Sequence, residues 1–139
     1  MDRSAMETLV RRLYDARVAG DVDKILGFFA PQHQFRLAGD QTMGVAAIAS
    51  GRTEFVSMLG MLVQAWEWRE VRIDNLLIDG DRAAVRHRTK MRFVPTGDLI
   101  ETEICDVITF RDGKIVDFVE FCDTARALQL VQAAAAKPA

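Results

Sequence analysis

Basic and apolar side chains alternate along residues 84–93, whose sequence is AVRHRTKMRF. A period of two residues predicts a β-strand that shows a different kind of side chain to each face of a sheet. One face carries Arg86, Arg88, Lys90 and Arg92, and the other carries Val85, His87, Thr89, Met91 and Phe93. Four like charges cannot be buried without partners, so the basic face must lie in solvent and the His87 face in the core. The chain is thereby limited to folds built around a two-faced sheet.

Strand periodicity continues on both sides of this segment. We predict strands over residues 69–79, 82–94, 99–110 and 114–122, joined by turns at Gly80-Asp81, residues 95–98 and Asp112-Gly113. On the third strand, Glu101 and Glu103 can lie opposite the basic row and offset its repulsion. This charge ladder is a solvated face that also blunts aggregation, which we prefer to an anion-binding role.

The rest of the chain has mainly helical periodicity. We predict helices from a Ser4–Glu7 capping box to Ala19, from Asp21 to Pro31, over residues 45–66 with a break at Gly51, and from Asp123 to about Ala135, with a short strand over 33–38. Helices followed by a meander of long strands are typical of an α+β fold, with helices over one face of an antiparallel sheet. A chain of 139 residues fits one domain, spanning residues 1–139.

Composition excludes several classes of partner. The formal net charge is −2 and 27% of residues are charged, so no basic surface for nucleic acid or anionic lipid is expected. No apolar run approaches the length of a membrane span, and the N-terminus lacks the apolar stretch of a signal peptide. We therefore predict a cytoplasmic protein with no nucleic-acid or membrane partner. In a reducing cytoplasm, Cys105 and Cys122 are expected to be small buried residues rather than a disulfide.

Strand pairing brings ionisable residues together on the predicted inner face. Pairing about residues 95–98 sets His87 opposite Asp106, and a bulge at Gly113 puts Phe118 opposite Asp106 with Glu120 one diagonal away. The same bulge leaves an apolar strip of Ile115, Val119 and Phe121 on the outer face. A soluble monomer rarely exposes such a strip, so we predict a homodimer through this face.

Three segments resemble the SnoaL-like group of the nuclear-transport-factor-2-like superfamily, which includes ketosteroid isomerases, polyketide cyclases and limonene-epoxide hydrolases. They are YDARVAGDVDKILGFFAP, then MGVAAI at the start of the third predicted helix, then CDVITFRDGKIVDFVEFCDTARAL. The resemblance implies a cone-shaped domain in which a curved antiparallel sheet wraps around N-terminal helices, a cystatin-like α+β barrel with one pocket. It also implies that dimers are common.

The catalytic residues of these relatives match this chain only in part. Asp106 resembles the acidic residue that ketosteroid isomerases keep protonated as a hydrogen-bond donor to an oxyanion. Their general-base aspartate falls near Leu37, and their catalytic tyrosine falls near Leu13, one position from Tyr14. The arginine and two aspartates of the epoxide hydrolases fall at His87, Thr89 and Glu120, so one carboxylate is retained there as a glutamate. Neither mechanism carries over intact.

We therefore predict a cofactor-independent isomerase, cyclase or hydratase that binds a small apolar or aromatic carbonyl compound. His87 is the predicted acid or base, Asp106 orients it or donates to an oxyanion, and Glu120 is the second acid/base group. The predicted ligand-binding residues are Tyr14, Phe35, Leu37, Met58, Leu62, Trp66, Thr89, Met91, Phe118 and Cys122. Three alternatives stay open: a buried structural His–Asp pair, a non-catalytic ligand-binding or sensing domain, and a dimerisation module with a vestigial pocket. A metal site is disfavoured because the spacing of His87, Asp106 and Glu120 matches no metal motif.

Overall fold

The computed structural model describes residues 1–137, which form helices packed on one face of a six-stranded sheet. The helices are α1 (Arg3–Ala19), α2 (Val22–Gly27), α3 (Gly51–Ala65) and α4 (Thr124–Ala136), with a 3₁₀ turn at Gln41–Met43. The strands are β1 (Phe29–Leu37), β2 (Ala47–Ser50), β3 (Trp66–Asp79), β4 (Arg82–Phe93), β5 (Asp98–Arg111) and β6 (Lys114–Phe121). They lie in the order β2-β1-β6-β5-β4-β3. The predicted α+β architecture with a curved sheet is confirmed.

Helix α1 shows how local signals set the element ends. Asp2 caps it, since its Oδ1 accepts from the backbone N–H of Ala5 at 2.8 Å. The predicted Ser4–Glu7 capping box is wrong, because the helix is capped two residues earlier than Ser4 and Glu7 accepts from Arg11 at 3.1 Å. Gly20 ends the helix in the left-handed region at φ 69°. The buried face carries Met6, Leu9, Val10, Leu13, Tyr14 and Ala16.

Within residues 1–137, no helix is long and apolar enough to cross a bilayer.

Two predicted segments have different structures. Residues 47–50, predicted as the start of a helix, form β2, and the helix begins only at Gly51, whose φ of 80° breaks the pattern. The strand predicted over 33–38 begins four residues earlier, at Phe29, and runs through Pro31. Strand β1 pairs in parallel with β6, so the sheet is mixed rather than wholly antiparallel. Pairing between strands distant in sequence causes these differences, and the local sequence pattern cannot predict that pairing.

The two faces of β4 are those that the alternation predicts. Val85, His87, Thr89, Met91 and Phe93 are all buried, whereas Arg86 and Lys90 are exposed. The predicted charge ladder forms on the outer face, where Arg88 donates to Glu103 at 2.7 Å and Lys90 pairs with Glu70 at 3.2 Å. On the inner face, Phe29, Phe35, Phe55 and Phe118 form an aromatic cluster with ring centroids 4.6–6.0 Å apart. This cluster joins α3 to the middle of the sheet.

The register between β4 and β5 differs from the prediction by two residues. Phe93 pairs with Asp98 across a four-residue loop, so His87 lies opposite Ile104 and Asp106 lies opposite Val85. On the other side of β5, Asp106 lies directly opposite Glu120 rather than Phe118. A shift of two keeps every side chain on its predicted face. It moves the two carboxyl groups from a diagonal to direct neighbours.

The hairpin between β5 and β6 corrects the predicted outer strip. Asp112 and Gly113 both have positive φ, at 50° and 77°, which makes a two-residue type I′ turn. Ile115 then pairs with Phe110 on the inner face and is fully buried, contrary to the prediction. The bulge comes after that pair, where Thr109 pairs with Asp117. The extra residue, Val116, returns Phe118 and Glu120 to the predicted inner face.

The remaining outer residues leave a smaller apolar patch than predicted. Phe121 is 49% exposed and Val119 only 9%. The homodimer through this face stays a prediction. Cys105 and Cys122 are both free thiols, and each is half-buried rather than fully buried. Cys105 lies on the outer face opposite Phe121, and Cys122 follows the end of β6.

Candidate functional site

A cavity of about 830 Å³ lies between the inner face of the sheet and helices α1, α3 and α4. Its wall is mainly apolar, with few polar groups. Nine of the ten predicted ligand-binding residues line it: Tyr14, Phe35, Leu37, Met58, Leu62, Trp66, Met91, Phe118 and Cys122. The tenth, Thr89, is fully buried behind the wall. The volume and the lining are those of a small-molecule site.

Four side chains form a continuous hydrogen-bond chain that begins on the wall and continues behind it. The Tyr14 hydroxyl donates to Asp106 Oδ2 at 2.6 Å, and His87 Nε2 lies 2.9 Å from the same oxygen. His87 Nδ1 lies 2.6 Å from Thr89 Oγ1. His87, Thr89 and Asp106 are each 0% exposed, so Tyr14 is the member of this chain that lies on the cavity wall. We call these four residues the Tyr14 network.

The structure thus brings His87 and Asp106 together as predicted, and adds Tyr14. Both ring nitrogens of His87 are engaged inside the network, and neither faces the cavity. Burial, followed by the charge of Asp106, raises the pKa of Tyr14 well above its ordinary value, so the phenol keeps its proton. Asp106 Oδ1 is buried and has no hydrogen-bond partner among the described residues. A buried tyrosine needs a partner for its hydroxyl, and that requirement was the sequence signal for this contact.

Glu120 is the carboxyl group that the structure places on the cavity wall beside the network. It lies opposite Asp106 on β6 and lines the cavity. Burial and then the charge of Asp106 raise its pKa to about 8, against a smaller opposing effect of Arg17. Its carboxyl oxygens accept no hydrogen bond from residues 1–137. Glu120 can therefore change protonation near neutral pH while both oxygens are free for a ligand.

Arg17 is a cavity residue that the sequence analysis did not predict. Its Nη2 donates to the backbone oxygens of Leu62 at 3.1 Å and Trp66 at 2.6 Å. Its guanidinium carbon lies 4.7 Å from the centroid of the Trp68 ring. Burial lowers its pKa to about 10, so it stays cationic at neutral pH. The signal was its spacing, since Arg17 follows Leu13 and Tyr14 by four and three residues on the buried face of α1.

Comparison with known proteins establishes the family. Residues 10–118 match the family model described as the SnoaL-like domain. The chain belongs to the SnoaL-like family. Among curated proteins, none matches this SnoaL-like chain.

Solved structures share the fold of this SnoaL-like domain at low sequence identity. A Bacillus subtilis protein named as a candidate isomerase has a TM-score of 0.84 and 12% identity, over 95% of this chain and 96% of that one. A Jannaschia protein named as a candidate SnoaL-like polyketide cyclase has a TM-score of 0.76 and 19% identity, over 99% of both chains. An NTF2-like protein of unknown function from Burkholderia pseudomallei has a TM-score of 0.77 and 22% identity, over 94% and 98%. These likenesses show the fold.

Within the SnoaL-like domain, Glu120 lies beside the position where the resemblance puts a general base. Leu37, where the resemblance puts the general base of ketosteroid isomerases, lines the cavity and cannot accept a proton. Leu37 pairs with Glu120 on the neighbouring strand. A carboxyl group is therefore present one strand away from that position.

Within residues 1–137, no group of three or more His, Cys, Asp or Glu side chains is arranged to hold a metal ion.

The raised pKa of Glu120 predicts a pH-dependent stability. The folded protein holds this proton up to about pH 8, whereas the unfolded chain loses it near its ordinary value of 4.5. The free energy of unfolding should therefore fall as pH rises from about 4.5 to about 8, relative to a Glu120→Gln variant that does not titrate there. Thermal unfolding at several pH values measures the difference. The exposed Glu101→Gln is the control and should follow the wild type; coincident curves for wild type and Glu120→Gln would contradict the prediction.

Proposed function

We propose that this SnoaL-like domain is a cofactor-independent acid/base enzyme of isomerase, cyclase or hydratase type that acts on a small, mainly apolar carbonyl compound. The observation that carries the proposal is the Glu120 carboxyl group, which faces an apolar cavity without a protein partner and has a pKa of about 8. A general acid or base works best when its pKa lies near the working pH. The fold shared with the candidate isomerase and cyclase supports the same class of reaction.

In the proposed reaction, ionised Glu120 removes a proton from the carbon next to the substrate carbonyl and returns it to a second position. Tyr14, on the cavity wall, is the hydrogen-bonding group for the carbonyl oxygen. Its single hydroxyl proton is donated to Asp106 at 2.6 Å in the structure and turns to the carbonyl oxygen when the substrate binds. His87 contacts Asp106, and Thr89 contacts the other ring nitrogen of His87. His87 and Asp106 thereby act through Tyr14, as positioning residues. The predicted direct role of His87 on the ligand remains a hypothesis, which a folded His87→Ala variant tests when it is compared with Tyr14→Phe.

The alternative proposal is a ligand-binding or sensing domain of the same fold, in which the same groups only hydrogen-bond the ligand. A ligand that is bound saturably and released unchanged, without proton exchange, would favour it. The third sequence-based interpretation, a dimerisation module with a vestigial pocket, required a collapsed interior. The cavity of about 830 Å³ argues against that interpretation.

Deuterium exchange tests the proposed function without a known substrate. A panel of apolar ketones, 1,3-diketones and keto acids is incubated with the protein in D₂O, and NMR follows loss of the proton next to the carbonyl. The protein-catalysed rate should rise with pH and level off above about 8, because only ionised Glu120 accepts a proton. Protein-free samples at each pH correct for hydroxide-catalysed exchange. Saturable binding of panel compounds with no exchange above that background would contradict the enzyme proposal.

A further inference from the structure

The guanidinium of Arg17 is a cation on the wall of an apolar cavity and forms no salt bridge with residues 1–137. Glu120 is the carboxyl group whose charge acts on it from a longer distance, raising the pKa of Arg17 against the larger effect of burial. Only its Nη2 donates within the described part of the chain, to the two backbone oxygens at the end of α3. The N–H groups of Nε and Nη1 make no hydrogen bond to residues 1–137. No carboxylate oxygen of those residues lies within the 4.0 Å of a salt bridge to Arg17. A half-buried charge is costly unless something pairs with it.

The contacts of Arg17 hold its free donors in a defined position. The two carbonyl bonds hold the Nη2 group of the planar guanidinium, and Trp68 supports its face. The N–H groups of Nε and Nη1 remain, and each can donate a charge-assisted hydrogen bond to a carboxylate oxygen. The position is therefore preorganised for an oxyanion.

The other charges at the cavity do not neutralise Arg17. Glu120, with a pKa of about 8, is mostly protonated at neutral pH. The three charged residues at the rim are bound locally: Glu54 accepts from the N–H of Ser50, Asp123 accepts from the N–H of Arg126, and Arg126 donates to Gln129. Asp106 is buried in the Tyr14 network behind the wall. The inner part of the cavity thus presents one positive charge within an apolar surface.

We propose that Arg17 is the specificity-determining residue of this cavity, and that it selects a carbonyl compound that also carries a carboxylate. The carboxylate accepts from the free N–H groups of Arg17, and the apolar body of the ligand lies against Trp66, Trp68 and the aromatic side chains of the inner sheet. The substrate is therefore an apolar keto acid rather than a neutral ketone. The inference rests on the proposed function for the carbonyl group alone, since binding of the carboxylate requires no turnover.

Matched neutral and anionic probes test the proposal. The probes are three aryl-alkanoates of increasing size, 3-phenylpropanoate, 4-phenylbutanoate and 4-(2-naphthyl)butanoate, each with its carboxamide. Both tryptophans of the chain, Trp66 and Trp68, line the cavity, so quenching of intrinsic fluorescence reports occupancy, with calorimetry as a second measurement. Hydrogen bonds to a charged group favour at least one carboxylate over its amide by about tenfold or more.

Variants assign that preference to Arg17. Arg17→Met should bring the carboxylate to amide ratio to about one while leaving amide affinity within about threefold, which shows that the cavity is intact. Arg17→Lys should keep part of the preference, because a lysine keeps the charge but lacks the planar guanidinium that the two carbonyl groups and Trp68 hold in place. The exposed Arg12→Met on the same helix is the matched control and should bind as wild type does.

Three results would overturn the proposal. The first is that no carboxylate binds better than its amide in the wild type, including the case in which neither binds up to millimolar concentration. The second is a preference that persists in Arg17→Met. The third is that Arg126→Met, at the rim, removes the preference while Arg17→Met does not. Preference for carboxylates without proton exchange would contradict the proposed function and leave this inference standing. Proton exchange without a preference for carboxylates would contradict this inference and leave the proposed function standing.

Discussion

Replacement of Glu120 by glutamine is expected to lower the rate of deuterium exchange by about a hundredfold to ten-thousandfold. Loss of a positioned acid or base typically has an effect of this size. Glutamine has the volume of the glutamate and keeps a hydrogen-bonding end, but it neither accepts nor releases a proton near neutral pH. The carboxyl lines the cavity without a protein partner, so the substitution disrupts no internal hydrogen bond. The rate on the ketone panel, at a pH above 8, is the measurement.

Two controls separate chemistry from structure in this experiment. Ligand affinity, read from tryptophan quenching, should change little in Glu120→Gln, because the wall is otherwise apolar. Glu101→Gln, on the exposed face of the sheet, should retain the wild-type rate. An unchanged exchange rate in Glu120→Gln would remove Glu120 as the base. If a folded His87→Ala variant then lost the activity while Tyr14→Phe kept it, the direct role that the sequence predicted for His87 would take its place, because a loss through Tyr14 would appear in both variants.

Replacement of Asp106 by alanine is expected to lower the free energy of unfolding by about 2–6 kcal/mol, because two buried polar groups each lose a hydrogen-bond partner at about 1–3 kcal/mol apiece. One oxygen of Asp106 accepts from Tyr14 and lies 2.9 Å from His87, and all three side chains are 0–4% exposed. Without the carboxyl group, the hydroxyl and the imidazole remain buried with one partner fewer each. Urea denaturation of both proteins measures the difference.

Comparison with an outer-face aspartate shows whether burial is the cause. Asp74 accepts from Arg72 at 3.0 Å on the solvent side of the sheet, and Asp74→Ala should cost at most about 1 kcal/mol. Tyr14→Phe removes only the hydroxyl, and the double variant with Asp106→Ala should show a coupling free energy, because the two groups share a hydrogen bond. A loss below about 1 kcal/mol in Asp106→Ala would mean that the network does not stabilise the fold, and additive single effects would mean that Tyr14 and Asp106 are not coupled.

The candidate site was predictable where it depended on the face of a strand. Alternation along residues 84–93 put His87 inside, and the same period carried Asp106 and Glu120 to that face. Loop length was harder to predict, and it set which residues are neighbours. The four-residue loop after Phe93 and the type I′ turn at Asp112-Gly113 moved both registers by two. Each shift preserved the face, which is why the inner set survived an incorrect pairing.

Prediction failed where a contact joins elements distant in sequence. Arg17 lies 45 residues from Leu62 and Tyr14 lies 92 from Asp106, so no local pattern links them. Ile115 was predicted on the outer face because the bulge was placed before it, at Gly113. In the structure Asp112 and Gly113 make a two-residue turn, and the bulge comes after Ile115. Residues 47–50 form a strand because β1 supplies hydrogen-bond partners, not because their own propensity favours it.

The sequence by itself determined the α+β class, the inner and outer faces of the sheet and a set of ten ligand-binding residues of which nine line the cavity. These follow from the period of apolar side chains, which is local and must match the secondary structure that buries it. Only the tertiary structure decided that Glu120 and Arg17 reach the cavity while His87 and Asp106 lie behind Tyr14. Whether a side chain lies on the cavity wall or behind it depends on how α1 packs across β3, β4 and β5. That packing is the sum of many contacts between distant parts of the chain.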